Sequence, residues 1–251
     1  VIFDEEYGQR LARRLGVTSF ATQIEAFDGL PALVIERFDR RDGTRLHQED
    51  FNQALGASGD QKYQEYGGVV SLARIADVVS RHASAEDLRR LARMTVLAAG
   101  IGNLDMHAKN LGLLHPMTGE VALAPAYDTV PVAHADAGDG RLALAVNRKY
   151  QHADLSRGDL AAEIASWGVH QAETLVQETL EELRAAIDAE RPLEGAHPAL
   201  RPPLRRFTGN LLDGRPPGVP LGQRHGSSRT ADLADEFKQG AAELRRTLQV
   251  R

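Results

Sequence analysis

AEDLRRLARMTVLAAGIGNLDMHAKNLGLLH, residues 85–115, decides how the rest of the chain is read. Its first half is amphipathic and then almost wholly apolar at helical spacing, so it predicts a helix central to the core. NLDMHAKN, residues 103–110, follows directly as a polar loop. Two short apolar runs come next, LGLLH and EVALAP, joined by the turn-like PMTG, and Tyr127-Asp128 closes the excursion. A hairpin returns its second strand beside its first, which brings Asp128 within reach of Asn110.

Asp105 and Asn110 stand five positions apart, and Asp128 lies eighteen beyond Asn110. Carboxylate and carboxamide oxygens are hard ligands suited to Mg²⁺, which keeps several waters and completes its shell with substrate phosphates. A loop D-x-x-x-x-N followed by an Asp after a hairpin is the arrangement of protein-kinase-type phosphoryl transfer. There the first Asp accepts a hydroxyl proton, while the Asn and the later Asp hold metal. Alone, D-x-x-x-x-N is a common pattern of turn formers and caps. Its meaning here comes from company: His107, Lys109, the returning Asp128 and the apolar helix before it.

Upstream, DEEYGQRLARRL (4–15) carries its acids first and its arginines last, the polarity of a helix dipole, and predicts a helix ending at Gly16. TSFATQIEAF and ALVIERF flank Asp28-Gly29 and predict a hairpin from about 19 to 38. HQEDFNQALG predicts a short helix closing at Gly56, SGDQKYQEYGG a polar loop, and SLARIADVVSRH an amphipathic helix. Downstream, DAGDG reads as a loop, SRGDLAAEIASWG opens with the S-x-x-D of a capping box, and 171–187 place Leu175, Val176, Leu180, Leu183 and Ile187 at helical spacing. Both are expected to be helices of an all-α lobe. Residues 192–230, broken by Pro and Gly and rich in arginine, predict an irregular, solvated segment before a last helix over 231–248. The order gives an α+β, predominantly α chain. A small mixed lobe with its linker spans 1–40, a helical lobe carrying the polar cluster spans 41–190, and a broken tail spans 191–251.

The 251 residues, 42% of them hydrophobic, are enough to bury a real core. A net charge of −5 gives no global field for nucleic acid, so contact with DNA would be local or indirect. The absence of cysteine excludes disulfides, thiolate catalysis and Cys-type zinc sites. With no long apolar run and no signal-peptide core, the sequence reads as a soluble, cytoplasmic protein with no membrane partner.

GNLDMHAKNLGLL resembles the G-N-x-D-x-H-x-K-N signature of HipA-like serine/threonine kinases, the toxins of bacterial HipBA toxin–antitoxin modules. LAPAYDTVP resembles that family's L-x-P-x-Y-D segment, LVIERFDR its hinge V-E-R-F-D-R, and RLHQEDFNQALG the stretch after the hinge. The matches run in order from about Glu5 to Trp167, and the resemblance implies a two-lobed protein-kinase-like fold. It implies Asp105 as catalytic base, Asn110 and Asp128 as Mg²⁺ ligands, and His107, Lys109 and Tyr127 beside the nucleotide. Glu36, Arg37 and Phe38 would form the hinge that meets adenine, with Asp39 near the ribose. A strand end that becomes a linker leaves backbone groups able to read an adenine edge. Glu5 aligns with a helical glutamate that pairs with a phosphate-binding lysine. The implied cofactors are ATP and Mg²⁺. The implied partners are a HipB-like helix-turn-helix antitoxin, operator DNA through that antitoxin, and an aminoacyl-tRNA synthetase as protein substrate, with growth arrest and persistence as the outcome.

The chain departs from this pattern at its start. Its four lysines are at 62, 109, 149 and 238, and no Gly-rich loop precedes residue 16. With Val1 in place of a methionine, the expectation is a chain that begins inside the small lobe and is inactive or strongly impaired as written. Two other readings compete. A non-catalytic, antitoxin-binding co-repressor scaffold would tolerate the missing lysine but does not call for an intact Asp105, Asn110 and Asp128. A metal-dependent hydrolase or nuclease would turn over without nucleotide.

Overall fold

The computed structural model describes residues 1–41, 43–57, 64–65, 68–117, 119–134 and 139–218. It opens with helix α1, Ile2–Arg14, with Asp4 and Glu5 in the first turn and Arg13 and Arg14 in the last. Gly16, in the left-handed region at φ 67°, ends the helix where the sequence predicts. Strands β1 (Thr22–Phe27) and β2 (Leu30–Ile35) pair antiparallel with Phe27 opposite Leu30. Asp28 (φ 50°) and Gly29 (φ 80°) form the tight turn, the conformation for which Asp-Gly is suited.

After the linker 36–39, two short strands, β3 (Arg40–Arg41) and β4 (Thr44–Arg45), precede β5 (His47–Asp50) and the one-turn helix α2 (Phe51–Ala54). The predicted helix over HQEDFNQALG is therefore half strand. His47–Asp50 pairs with β6 (Gly112–His115), and that distant partner outweighs a local pattern without strand character. A capping box of Asp50 and Gln53 starts α2. β7 (Ala122–Leu123) completes a three-stranded sheet in the order β5-β6-β7, so the predicted return hairpin is present.

Helices α3 (Leu72–His82) and α4 (Ala85–Ile101) lie where their periodicity puts them, α4 behind a Ser84–Asp87 capping box. Leu91, Val96, Leu97 and Ile101 of α4 are buried, and α4 packs against α1, α3 and three later helices: α5 (Arg157–Ser166), α6 (Ala172–Ala189) and α7 (Arg201–Leu212). Two expectations are corrected. The larger lobe is not all-α: besides β5–β7 it holds a hairpin of β8 (Arg141–Val146) and β9 (Lys149–Gln151), turning through Asn147 and Arg148 at positive φ. And the stretch predicted irregular contains α7, which buries Leu204, Phe207 and Leu211 and donates from Thr208 Oγ1 to the Gly100 carbonyl at 3.0 Å. Its prolines sit in the first helical turn, where the missing N–H costs nothing. The predicted helix over 231–248 and most of the SGDQKYQEYGG loop lie outside the described residues.

Candidate active site

Gly102 ends α4 in the left-handed region at φ 68°, and the chain turns directly into the polar loop. A side chain at Gly102 would stand 2.5 Å from the Ala133 Cβ, so glycine is required on both counts. The amides of Val132 and Ala133 both donate to the Gly102 carbonyl, at 3.1 and 2.9 Å, which pins the segment after Asp128 to the start of the loop. Within the loop, the buried Asn103 accepts from the Asp105 amide at 3.2 Å and faces the Asp128 carbonyl at 3.5 Å.

Asp105 points outward, its side chain 57% exposed, while His107 beneath it is buried and places Nε2 4.0 Å from the Asp105 carboxylate. Ala108–Asn110 is a 3₁₀ turn begun by Asn110 N–H donating to the His107 carbonyl at 2.9 Å. That turn buries Asn110 and leaves Lys109 exposed. Across the hairpin, Asp128 adopts φ 54°, and Asn110 Nδ2 donates to its carboxylate. The expected return is present: Asn110 and Asp128 are side-chain neighbours, and Asp105 shares the loop of Asn110.

Helix α1 supports the same corner. Gly8 lies so close to the 129–131 segment that a Cβ there would fall 1.9 Å from the Thr129 carbonyl oxygen. Gln9 Nε2 donates to the Ala126 carbonyl at 2.8 Å, and Ala126 N–H donates to the Val17 carbonyl at 2.9 Å. Burial, then the negative charge of Asp128, pushes the Glu5 carboxyl above its usual range. Glu5, Gly8 and Gln9 sit at i, i+3 and i+4 on one helix face. Of these the sequence reading singled out Glu5 alone. Gly8 and Gln9 carry no local signal, because their roles come from contacts with 126–131.

The linker is built differently. Glu36 continues the β1–β2 ladder through its amide, which donates to the Ala21 carbonyl at 3.0 Å, and its carboxylate accepts the Ala21 N–H at 3.1 Å. Phe38 stacks between Phe20 (centroids 5.3 Å) and Tyr127 (5.8 Å), tying the linker to the residue before Asp128. The Tyr127 hydroxyl donates to the Lys109 carbonyl at 2.8 Å, and burial together with the charge of Asp50 raises its pKa. Asp39 is buried and gripped by Arg37 through two hydrogen bonds, 2.7 and 2.6 Å, with Arg40 adding a third contact. The Arg37 hydrogen bonds hold its carboxyl down to about 2.

The donor chemistry suits a magnesium-bound phosphate better than a bare metal. Among the described residues no group of three or more His, Cys, Asp or Glu forms a ready-made cage. One carboxylate and one carboxamide could supply part of an oxygen shell for Mg²⁺, which water and phosphate oxygens would complete.

The family profile described as HipA-like C-terminal domain matches residues 1–190. The chain belongs to this HipA-like family. Among curated relatives it is 34% identical over 197 residues to a Sinorhizobium fredii protein named as a kinase, Y4dM, covering 72% of this chain and 47% of that one. It is 28% identical over 189 residues to the serine/threonine-protein kinase toxin HipA of Shewanella oneidensis, covering 67% and 43%. The chain thus spans about half the length of these relatives and corresponds to their C-terminal portion. Among solved structures, the Shewanella oneidensis HipA of a complex with HipB and operator DNA matches with a TM-score of 0.67 at 24% identity, covering 85% of this chain and 55% of that one. The Helicobacter pylori proinflammatory kinase CtkA matches with a TM-score of 0.54 at 13% identity, over 85% of this chain and 83% of that one. The fold is that of a HipA-like kinase. Among the described residues no helix is long and apolar enough to cross a membrane.

Proposed function

We propose that this chain is the catalytic-loop portion of an ATP- and Mg²⁺-dependent serine/threonine protein kinase that acts as the toxin of a bacterial type II toxin–antitoxin module. The observation that carries the reading is the apposition of Asn110 and Asp128 with the exposed Asp105 on the same loop. In this reading Asp105 takes the proton of an incoming hydroxyl as its oxygen bonds to the transferring phosphorus and the nucleoside diphosphate departs. His107 lies against Asp105 and orients it. Asn110 and Asp128 hold the divalent cation, which when bound neutralises charge on the phosphates. Lys109 lies exposed beside them to meet phosphate oxygens. The backbone of Glu36, Arg37 and Phe38 faces the adenine; since the Glu36 amide is spent on Ala21, the free strip narrows to Arg37 and Phe38. Asp39 stands at the ribose end of that strip.

The proposed partners are a HipB-like helix-turn-helix antitoxin and operator DNA through it, supported by the HipB–operator complex of the Shewanella oneidensis HipA, and an aminoacyl-tRNA synthetase as substrate. The test is to incubate the complete open reading frame with γ-labelled ATP, Mg²⁺ and a set of synthetases, comparing wild type with Asp105→Ala and Asp128→Ala. Each substitution is expected to lower label transfer by about 10²-fold or more, and Asp128→Ala alone to weaken Mg²⁺-dependent nucleotide binding. Equal labelling by all three proteins would refute the assignment. Turnover with metal and no nucleotide would instead favour a hydrolase.

A further inference from the structure

Strand β8 runs past the catalytic loop, and one of its edges is occupied in an unusual way. Within a strand the N–H and C=O of one residue leave on the same edge, as does the N–H two residues on. On the edge away from β9, Ala143 N–H donates to the Leu104 carbonyl at 2.9 Å, so the strand is bonded directly to the residue before Asp105. The next two groups along that edge are taken by one residue, Gln64. Its amide donates to the Ala143 carbonyl at 3.1 Å, and its side-chain Oε1 accepts the Ala145 N–H at 3.0 Å. A donor and an acceptor at that spacing are what one residue of an added strand supplies from its backbone. Gln64 imitates this with an amide and a borrowed side-chain carbonyl.

The neighbouring residue carries the charge. Glu65 receives the Arg141 guanidinium through two contacts, the Nε one at 2.6 Å, and both side chains are about one-third exposed. Leu142, Leu144 and Val146 of β8 face the core, which leaves Arg141, Ala143 and Ala145 on the opposite face. A segment that takes over the two bonds of Gln64 would stand beside Leu104, the residue before Asp105, and the chain's own Glu65 shows that an acidic side chain next to that point reaches Arg141.

We propose that the β8 edge at Ala143–Ala145 is the docking strip for an extended, acid-bearing segment of the protein substrate, and that Gln64-Glu65 holds this strip until substrate displaces it. The proposal rests on the kinase reading of Asp105, and it deepens that reading by naming what recognises the substrate. Main-chain pairing would supply affinity and Arg141 the preference for a carboxylate.

The test uses the complete open reading frame and a fluorescein-labelled peptide, TVTEVTV, with its Lys twin TVTKVTV, read by anisotropy without ATP. The Glu peptide is expected to bind more tightly than the Lys peptide, and Arg141→Ala to erase the preference. Glu65→Gln, which loosens the occupant and leaves the strip intact, is expected to strengthen Glu-peptide binding about two- to five-fold, the range of a partly exposed ion pair. The same variant should speed hydrogen exchange of the Ala145 amide and lower KM for a protein substrate at unchanged kcat. Equal binding of both peptides, or indifference to both Arg141→Ala and Glu65→Gln, would overturn the docking strip. Charge-selective peptide binding with no phosphate transfer would leave the strip standing and sink the kinase reading instead.

Discussion

Asp128 and Asp39 are both aspartates beside the junction of linker and catalytic loop, and the chain treats them in opposite ways. Asp39 is buried under Arg37 and Arg40, which depress its carboxyl to about 2. Asp128 meets the carboxamide of Asn110, and its charge raises the pKa of Glu5. A carboxylate already gripped by guanidinium groups has spent its acceptor capacity on the protein. One met by a single carboxamide has more of that capacity left, which in the proposed reading a divalent cation would take up. The difference teaches that an aspartate's partners, more than its presence in a motif, tell which one is kept open for a ligand.

That contrast breaks most directly through substitution of each aspartate in the complete reading frame. Asp128→Ala is expected to lower phosphoryl transfer by about 10²- to 10³-fold and to remove the Mg²⁺ dependence of nucleotide binding in a fluorescent-nucleotide titration. Asp39→Ala should keep that Mg²⁺ dependence. If the two variants lose it equally, the distinction between an open and a spent carboxylate fails. Next in size is Gly8→Ala, because its Cβ would fall 1.9 Å from the Thr129 carbonyl oxygen. The segment that carries Asp128 would have to retreat, and overpacking of this kind costs about 1–3 kcal/mol. Urea denaturation should show that loss, and a fall in Mg²⁺-dependent nucleotide binding should accompany it. Wild-type stability in Gly8→Ala would mean that α1 does not brace the site.

How far this contrast could be read from the amino acids differs from element to element. The Asp28-Gly29 turn, the capping box of α5 and the D-x-x-x-x-N spacing with its returning hairpin are local, and each appears where its residues predict. Nothing local in HQED favours a strand; β6, distant in sequence, makes His47–Asp50 one. β8 gave no alternation to detect, since all of Leu142–Val146 is buried. The prolines of α7 read as breakers in the sequence, yet they occupy a helix start. At the site, the motif named Asp105, Asn110 and Asp128, but the supports of that corner, Gly8, Gln9 and Asn103, act through tertiary contacts that no spacing within the motif encodes.

Glu5 sharpens the comparison from the other side. Burial, then the charge of Asp128, raises its carboxyl above the usual glutamate value, so folding disfavours its ionised form relative to its acid form. The associated stability is full below the unfolded value and lost as pH rises through the raised one, which leaves ionised Glu5 destabilising at neutral pH. Glu5→Gln should therefore raise the melting temperature at pH 7 by about 1–2 °C. Mg²⁺ with nucleotide, by screening Asp128, should shrink that gain. A gain that persists undiminished when Mg²⁺ and nucleotide bind would show that Asp128 is not the source of the strain.

The smallest effect belongs to Asp39. Its carboxyl is lowered from 3.8 to about 2, chiefly by the Arg37 hydrogen bonds, so the sign is the reverse of that at Glu5. The stability it contributes is present above the unfolded value and disappears as pH falls from about 4 to about 2. Arg37 lies open to solvent and water screens the pair, so the contribution is modest. Asp39→Asn should remove that modest contribution at neutral pH, seen as a small fall in melting temperature, and flatten the acid limb of the stability curve by the same amount, as followed by circular dichroism. A steep acid limb that survives the substitution would place the acid sensitivity elsewhere, and a large loss at pH 7 would mean that Asp39 orders the linker rather than merely answering its arginines.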